Sequence, residues 1–163
     1  MPGYIRKCHR HQTGTKPATM NNFTFWLCLV CLPLKHFYMT SPFGYRIHPV
    51  TGKYSFHAGI DLRANHDTVY AVLPGHVSAT GYNPLLGIYI RLDHGDFKTT
   101  YGHLSQFFVI PGDSVLAGFP LGVSGLTGRV TGEHLHFAIQ YHNKYINPLK
   151  FLYQITNLKI NSY

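Results

Sequence analysis

Between residues 68 and 141 the chain is cut at short intervals by turn-forming residues. Pro74-Gly75, Asn83-Pro84, His94-Gly95-Asp96, Pro111-Gly112-Asp113 and the Gly125–Gly132 stretch leave no room for long helices. The runs between these turns are rich in β-branched and aromatic residues, as in Thr68–Leu73, His76–Tyr82 and Lys98–Leu104. Leu86–Asp93 alternates, placing Ile88, Ile90 and Leu92 on one face and Tyr89 and Arg91 on the other. No stretch sustains a 3.6-residue apolar period, and no long repeat is visible. The pattern predicts an all-β fold, mostly antiparallel, from Thr40 onward.

At 163 residues the chain has room for one ordinary domain and a short extension. With 45% hydrophobic and 12% charged residues, the composition is that of a folded chain rather than a disordered one. Lys and Arg number 14 against 6 Asp and Glu, a balance compatible with nucleic acid, an anionic membrane, an anionic wall polymer or plain solubility. The basic residues are scattered singly and no nucleic-acid motif accompanies them, so no nucleic-acid partner is expected. A monomer is expected.

Composition changes near residue 38. Residues 1–39 form a basic extension that contains the apolar run Phe23–Leu34. That run is shorter than the ~20 residues a spanning helix needs, but it suits the core of a signal-like anchor. Residues 23–34 are therefore the candidate for membrane association, and a spurious extension ahead of a later start at Met20 or Met39 is the equal alternative. All three cysteines (Cys8, Cys28 and Cys31) lie in this extension, so the domain needs neither disulfides nor thiolate ligands. The expected organisation is residues 1–39 as extension, 40–152 as the domain and 153–163 as a tail. Residues 1–38 hold no motif residue, so a chain starting at Met39 is expected to fold and to keep its metal.

The chemistry concentrates in histidine, which occurs 12 times, while the acids are few enough to name: Asp61, Asp67, Asp93, Asp96, Asp113 and Glu133. Three histidine clusters stand out. In His57-Ala-Gly-Ile-Asp61 the two end residues would lie about 13 Å apart on a straight strand, too far to share a metal. A kink at Gly59 would bring them together. Glu133–Gln140 alternates as a strand, with Leu135, Phe137 and Ile139 on the apolar face. His134 and His136 project from the other face, about 6.6 Å apart. Thr100-Tyr-Gly-His103-Leu-Ser105 adds a further imidazole at the end of another strand. Two His and one carboxylate leave the fourth position of a zinc ion open, the donor pattern of hydrolytic sites. The helical His-Glu-x-x-His motif, in which Glu is the base, is absent. A base in this chain would have to be histidine.

Four motifs occur in order: Ser41-Pro-Phe-Gly-Tyr-Arg-Ile-His-Pro49, His57-Ala-Gly-Ile-Asp61, Tyr101-Gly-His-Leu-Ser105 and Thr127-Gly-Arg-Val-Thr-Gly-Glu-His-Leu-His-Phe137. Over about residues 40–150 the chain resembles the lysostaphin/LytM-type metallopeptidases of family M23. The resemblance implies a mostly antiparallel β fold with a long substrate groove, one zinc ion, and hydrolysis of peptide bonds in bacterial peptidoglycan. It further implies that His57, Asp61 and His136 are the metal ligands and that His103 and His134 are the catalytic pair. The implied location is the bacterial cell envelope, periplasmic or secreted, with or without a membrane anchor. Three features depart from the family pattern: Arg63–Thr68 in place of a Pro-containing turn, a shorter turn at His94-Gly95, and Glu133 where Pro is common. Two other readings compete: a non-catalytic scaffold of the same fold, and a biotinyl/lipoyl-like carrier suggested by Val109–Gly118. The first is disfavoured by the five retained His and Asp positions. The second lacks a Lys at the hairpin tip.

Overall fold

The computed structural model describes residues 30–47 and 52–157. Cys8, Cys28, most of the apolar run, the His48-Pro49 end of the first motif and residues 158–163 lie outside the described residues. Among the described residues, twelve strands and one helix follow in chain order: β1 (Met39–Ser41), β2 (Gly44–Ile47), β3 (Tyr54–His57), β4 (Ile60–Arg63), β5 (Thr68–Tyr70), β6 (Gly75–Asn83), β7 (Gly87–Asp93), β8 (Phe97–Phe107), β9 (Ser114–Val115), β10 (Pro120–Ser124), β11 (His134–Tyr141), β12 (Lys144–Ile146) and α1 (Pro148–Asn157). The fold is all-β and antiparallel, as the turn spacing predicts.

The main sheet runs β1-β4-β11-β8-β7-β6-β9, with β10 joined to β5 and β8, and β12 joined to β11. Strands β2 and β3 form a separate two-stranded ribbon. Alternation sorts the sheet into two faces. Leu135, Phe137 and Ile139 of β11, Ile60 and Leu62 of β4, and Ile90 and Leu92 of β7 are fully buried in one core. The opposite face of β11 carries His134, His136 and Ala138, which line a groove.

Two features depart from the expected pattern. The described residues end in a helix, α1, whose Phe151 and Leu152 are buried and whose Ile155 packs on the core. Its apolar residues span only two turns, too few to register as a sustained period. The second departure is at the other end. Leu34 is buried to 1% exposure within the domain core, and Val30 and Phe37 pack against it. The Cys31 N–H donates to the Val72 carbonyl, and the Tyr70 N–H to the Pro33 carbonyl. Packed chain therefore begins ahead of residue 40, and a start at Met39 removes part of the core. Among the described residues no helix is long and apolar enough to cross a membrane.

Candidate metal centre

Asp61 and His136 meet because β4 and β11 pair in register, with His136 directly opposite Asp61. Beyond His136, on β8, stands Gly102, which has no side chain to fill the floor of the groove. His57 arrives from the ribbon. β3 ends at His57 and β4 begins at Ile60, so Ala58-Gly59 carries the chain from one sheet to the other. A Cβ on Gly59 would stand 2.5 Å from the Phe137 carbonyl oxygen and 2.8 Å from the His136 ring. Only glycine permits this approach. The kink expected at Gly59 is present, and it closes the distance that a straight strand would leave.

The three side chains converge on one point. His136 Nδ1 lies 3.0 Å from Asp61 Oδ1 and 3.1 Å from His57 Nε2, and His57 Nε2 lies 3.2 Å from Asp61 Oδ1. Donors at about 2.0–2.1 Å from a tetrahedral ion stand about 3.3 Å from one another. The trio therefore fits a metal ion with little adjustment. His57 Nδ1–H donates to the Pro42 carbonyl at 2.8 Å, which leaves its Nε2 lone pair facing the centre. His136 Nδ1 lies within hydrogen-bond distance of both Asp61 Oδ1 and His57 Nε2.

The electrostatics suit the same role. Burial pushes the Asp61 carboxyl up, but the hydrogen bonds and charge of His136 and His57 more than offset this and hold it below the usual carboxylate range. Burial lowers His136, against the pull of Asp61. An ionised carboxylate beside neutral imidazole is the protonation state a metal requires. Arg46 of β2 donates from Nη2 to Asp61 Oδ2 at 3.4 Å, and so holds the carboxylate oxygen not shared with the histidines. Within the first motif nothing marked Arg46 for this contact; the signal lay in three dimensions.

His103 and His134 flank the trio. Their ring centroids are 4.7 Å apart, and His103 is 5.8 Å from His136. His103 Nδ1–H donates to the Thr127 carbonyl at 2.8 Å and His134 Nδ1–H to the Gly132 carbonyl at 2.7 Å. Each carbonyl can only accept, so both rings present Nε2 as an acceptor. His134 Nε2 is 3.6 Å from Asp61 Oδ1. Burial lowers His103 to about 4, with the Thr127 hydrogen bond opposing and the charges of His134 and His136 assisting.

His103 reaches the groove through a β-bulge. Opposite the single residue Tyr89 of β7, strand β8 inserts both Gly102 and His103, and the register shifts between Ile88↔Leu104 and Ile90↔Tyr101. His103 takes a left-handed φ of 61°, and its N–H turns to the Leu86 carbonyl at 2.7 Å. Tyr101 faces the core, with its hydroxyl accepting from the Val72 N–H. Strict alternation would send His103 to that same core. The extra residue reverses the parity, so that Leu104 enters the core and His103 the groove.

All five His and Asp positions singled out in the sequence thus meet in one groove. The description "Peptidase family M23" matches residues 55–148, more than half of the chain. The chain belongs to peptidase family M23. It is 39% identical over 107 residues to the peptidoglycan DD-endopeptidase ShyA of Vibrio cholerae, covering 64% of this chain and 25% of that protein. It is 36% identical over 119 residues to the DD-carboxypeptidase/endopeptidase Mpg of Neisseria meningitidis, covering 72% of this chain and 27% of that one. The M23 chain thus spans about a quarter of the length of these relatives. Among solved structures, a zinc-containing peptidase from Vibrio cholerae matches with TM-score 0.68 at 33% identity, over 74% of this chain and 39% of that one. The catalytic domain of lysostaphin from Staphylococcus simulans matches with TM-score 0.65 at 30% identity, over 72% of this chain and 92% of that domain.

Proposed function

We propose that this chain is a zinc-dependent endopeptidase that hydrolyses peptide bonds in bacterial peptidoglycan. The observation that carries the reading is the convergence of His57 Nε2, Asp61 Oδ1 and His136 Nδ1 on one point, with the Nε2 atoms of His103 and His134 beside it. Two imidazoles and one carboxylate suit zinc, whose ligands are nitrogen and oxygen, and leave one position open. Zinc held there supplies a Lewis acid that acidifies water and polarises the scissile carbonyl.

The remaining work falls to the chain. Asp61, fixed by Arg46, holds the donor set in place. His103 Nε2, kept unprotonated by burial, accepts a hydrogen bond from the attacking water and orients it. His134 Nε2 takes up the proton and, once protonated, donates to the developing oxyanion or passes the proton to the departing amine. The backbone carbonyls of Thr127 and Gly132 keep both rings in the tautomer this requires. Peptidoglycan as substrate is supported by the similarity to ShyA, a peptidoglycan DD-endopeptidase, and to Mpg, a DD-carboxypeptidase/endopeptidase. A substrate of this kind supports a location in the cell envelope, and the expectations of a monomer and of no nucleic-acid partner are carried forward as part of the proposal.

The test is digestion of purified peptidoglycan by the zinc-loaded protein, read by mass spectrometry of the soluble products. New amine termini without new reducing sugar ends are expected. Intact peptides, or cleavage confined to the glycan, would overturn the reading.

A further inference from the structure

The ionisable residues that line the groove are not balanced. Beside the histidines it carries three guanidinium groups, from Arg46, Arg91 and Arg129, and a single carboxylate, Asp61. Asp61 is already engaged by His57, His136 and Arg46. The other acids lie outside the groove lining: Asp67, Asp93 and Asp113 accept backbone N–H groups in turns, Glu133 pairs with His66 and Ser124, and Asp96 sits in the β7–β8 turn. Among the described residues no carboxylate pairs with Arg91 or Arg129. A concave surface with excess charge of one sign focuses its field on an oppositely charged ligand.

Both arginines are placed by structure. Ala138 of β11, Thr100 of β8 and Arg91 of β7 are in register across the sheet and all line the groove. The small Ala138 and Thr100 make a flat floor that ends at Arg91, whose guanidinium lies 5.3 Å from the Tyr89 ring centroid. This row is two residues along the strands from His136, and Arg91 is two strands across, which puts the two Cα atoms roughly 12 Å apart. Arg129 follows Thr127, the residue that fixes His103, and its N–H donates to the Leu85 carbonyl. That loop is seated against the β6–β7 turn with no room to spare, since Gly128 faces the backbone of Gly87, and Gly87 faces Thr127. A guanidinium fork matches a carboxylate in two parallel hydrogen bonds.

We propose that Arg91 and Arg129 read a free carboxylate on the substrate peptide, within about three residues of the scissile amide, so that the groove selects anionic peptides over their amidated counterparts. This rests on the peptidase reading above and names the charge its substrate must carry.

The test compares cross-linked wall peptides bearing free carboxylates with the same peptides converted to carboxamides. Zinc-loaded wild type is expected to cleave the carboxylate form with kcat/KM about tenfold to a hundredfold higher. In the double variant Arg91→Gln/Arg129→Gln that ratio falls to near unity through KM, with zinc content and melting temperature unchanged. Lys150→Gln, which removes the same charge from α1 away from the groove, retains the wild-type ratio. Equal cleavage of both forms by wild type, or a ratio that survives in the double variant, would overturn the inference. If neither form is cut, the peptidase reading fails, and calorimetric binding of the same peptides to the zinc-loaded protein decides this inference alone. Tighter carboxylate binding that the double variant loses upholds it; equal or absent binding sinks it.

Discussion

The α-carbon of Gly87 stands so close to the backbone of Thr127 that a Cβ there would overlap the Thr127 carbonyl group. Gly87 also has a φ of 64°, a conformation that costs other residues on the order of 1 kcal/mol. The Thr127 carbonyl is the acceptor that fixes His103 Nδ1–H, and its hydroxyl ties the loop to Ile88 and Leu104. Gly87→Ala should therefore push this loop away and free the His103 ring. Peptidase activity should fall at least tenfold while bound zinc, measured by atomic emission, stays near wild type. Unchanged turnover would show that Thr127 does not hold the ring.

The donor trio and its flanking pair separate by metal content. Asp61→Ala and His136→Ala should lose zinc, because each leaves only two protein donors. Gly59→Ala should lower zinc affinity without replacing a donor, since the added methyl displaces the His136 ring. His103→Asn and His134→Gln should retain zinc and lose about 10²–10³ in rate. Asn is chosen at 103 because it tolerates the left-handed backbone there. Zinc loss from either flanking variant would require the ligand set to be redrawn.

Much of this site was legible in the sequence. Alternation in Glu133–Gln140 gave the face of His134 and His136 correctly, and a break at Gly59 was the one way to unite His57 with Asp61. His103 was not placed by any local pattern, because a bulge is set by a mismatch between two strands and not by either strand alone. Arg46 was equally silent: its contact spans the ribbon and the sheet, which only the folded chain brings together. The helix α1 and the burial of Leu34 escaped for a similar reason, since both depend on what the core leaves uncovered.

Acid should destabilise the metal-free protein across the imidazole range. His103 titrates near 6.5 when unfolded and is lowered to about 4 when folded, and burial lowers His94 and His136 in the same direction. Between those limits the unfolded chain binds more protons, so stability is greatest above 6.5 and declines as pH falls toward 4. For His103 alone the loss is on the order of 3 kcal/mol. Melting temperatures of wild type and His103→Asn should converge as the pH drops through this window. Parallel curves would show that the ring is not held neutral.

The segment ahead of residue 39 should matter for stability. Leu34→Ala removes a fully packed side chain and should cost about 2–4 kcal/mol, read from chemical denaturation. A chain starting at Met39 should melt lower still, because the hydrogen bonds from Cys31 to Val72 and from Tyr70 to Pro33 go with it. Equal stability of the shortened chain would show that this packing contributes nothing.

Strand β8 delivers Tyr101 to the interior and His103 to the groove by counting rather than by chemistry. Deleting Gly102 would leave every reactive group in the chain and close the bulge: Leu104 would stay in the core, and His103 would move into the place of Gly102 opposite His136, out of the left-handed backbone from which its ring reaches the Thr127 carbonyl. Substitution scanning, which keeps the length of the chain fixed, is blind to this dependence. A change of one residue in length between Tyr101 and Leu104 should therefore slow hydrolysis by misplacing the His103 ring, while the metal, held by His57, Asp61 and His136 on other strands, stays bound.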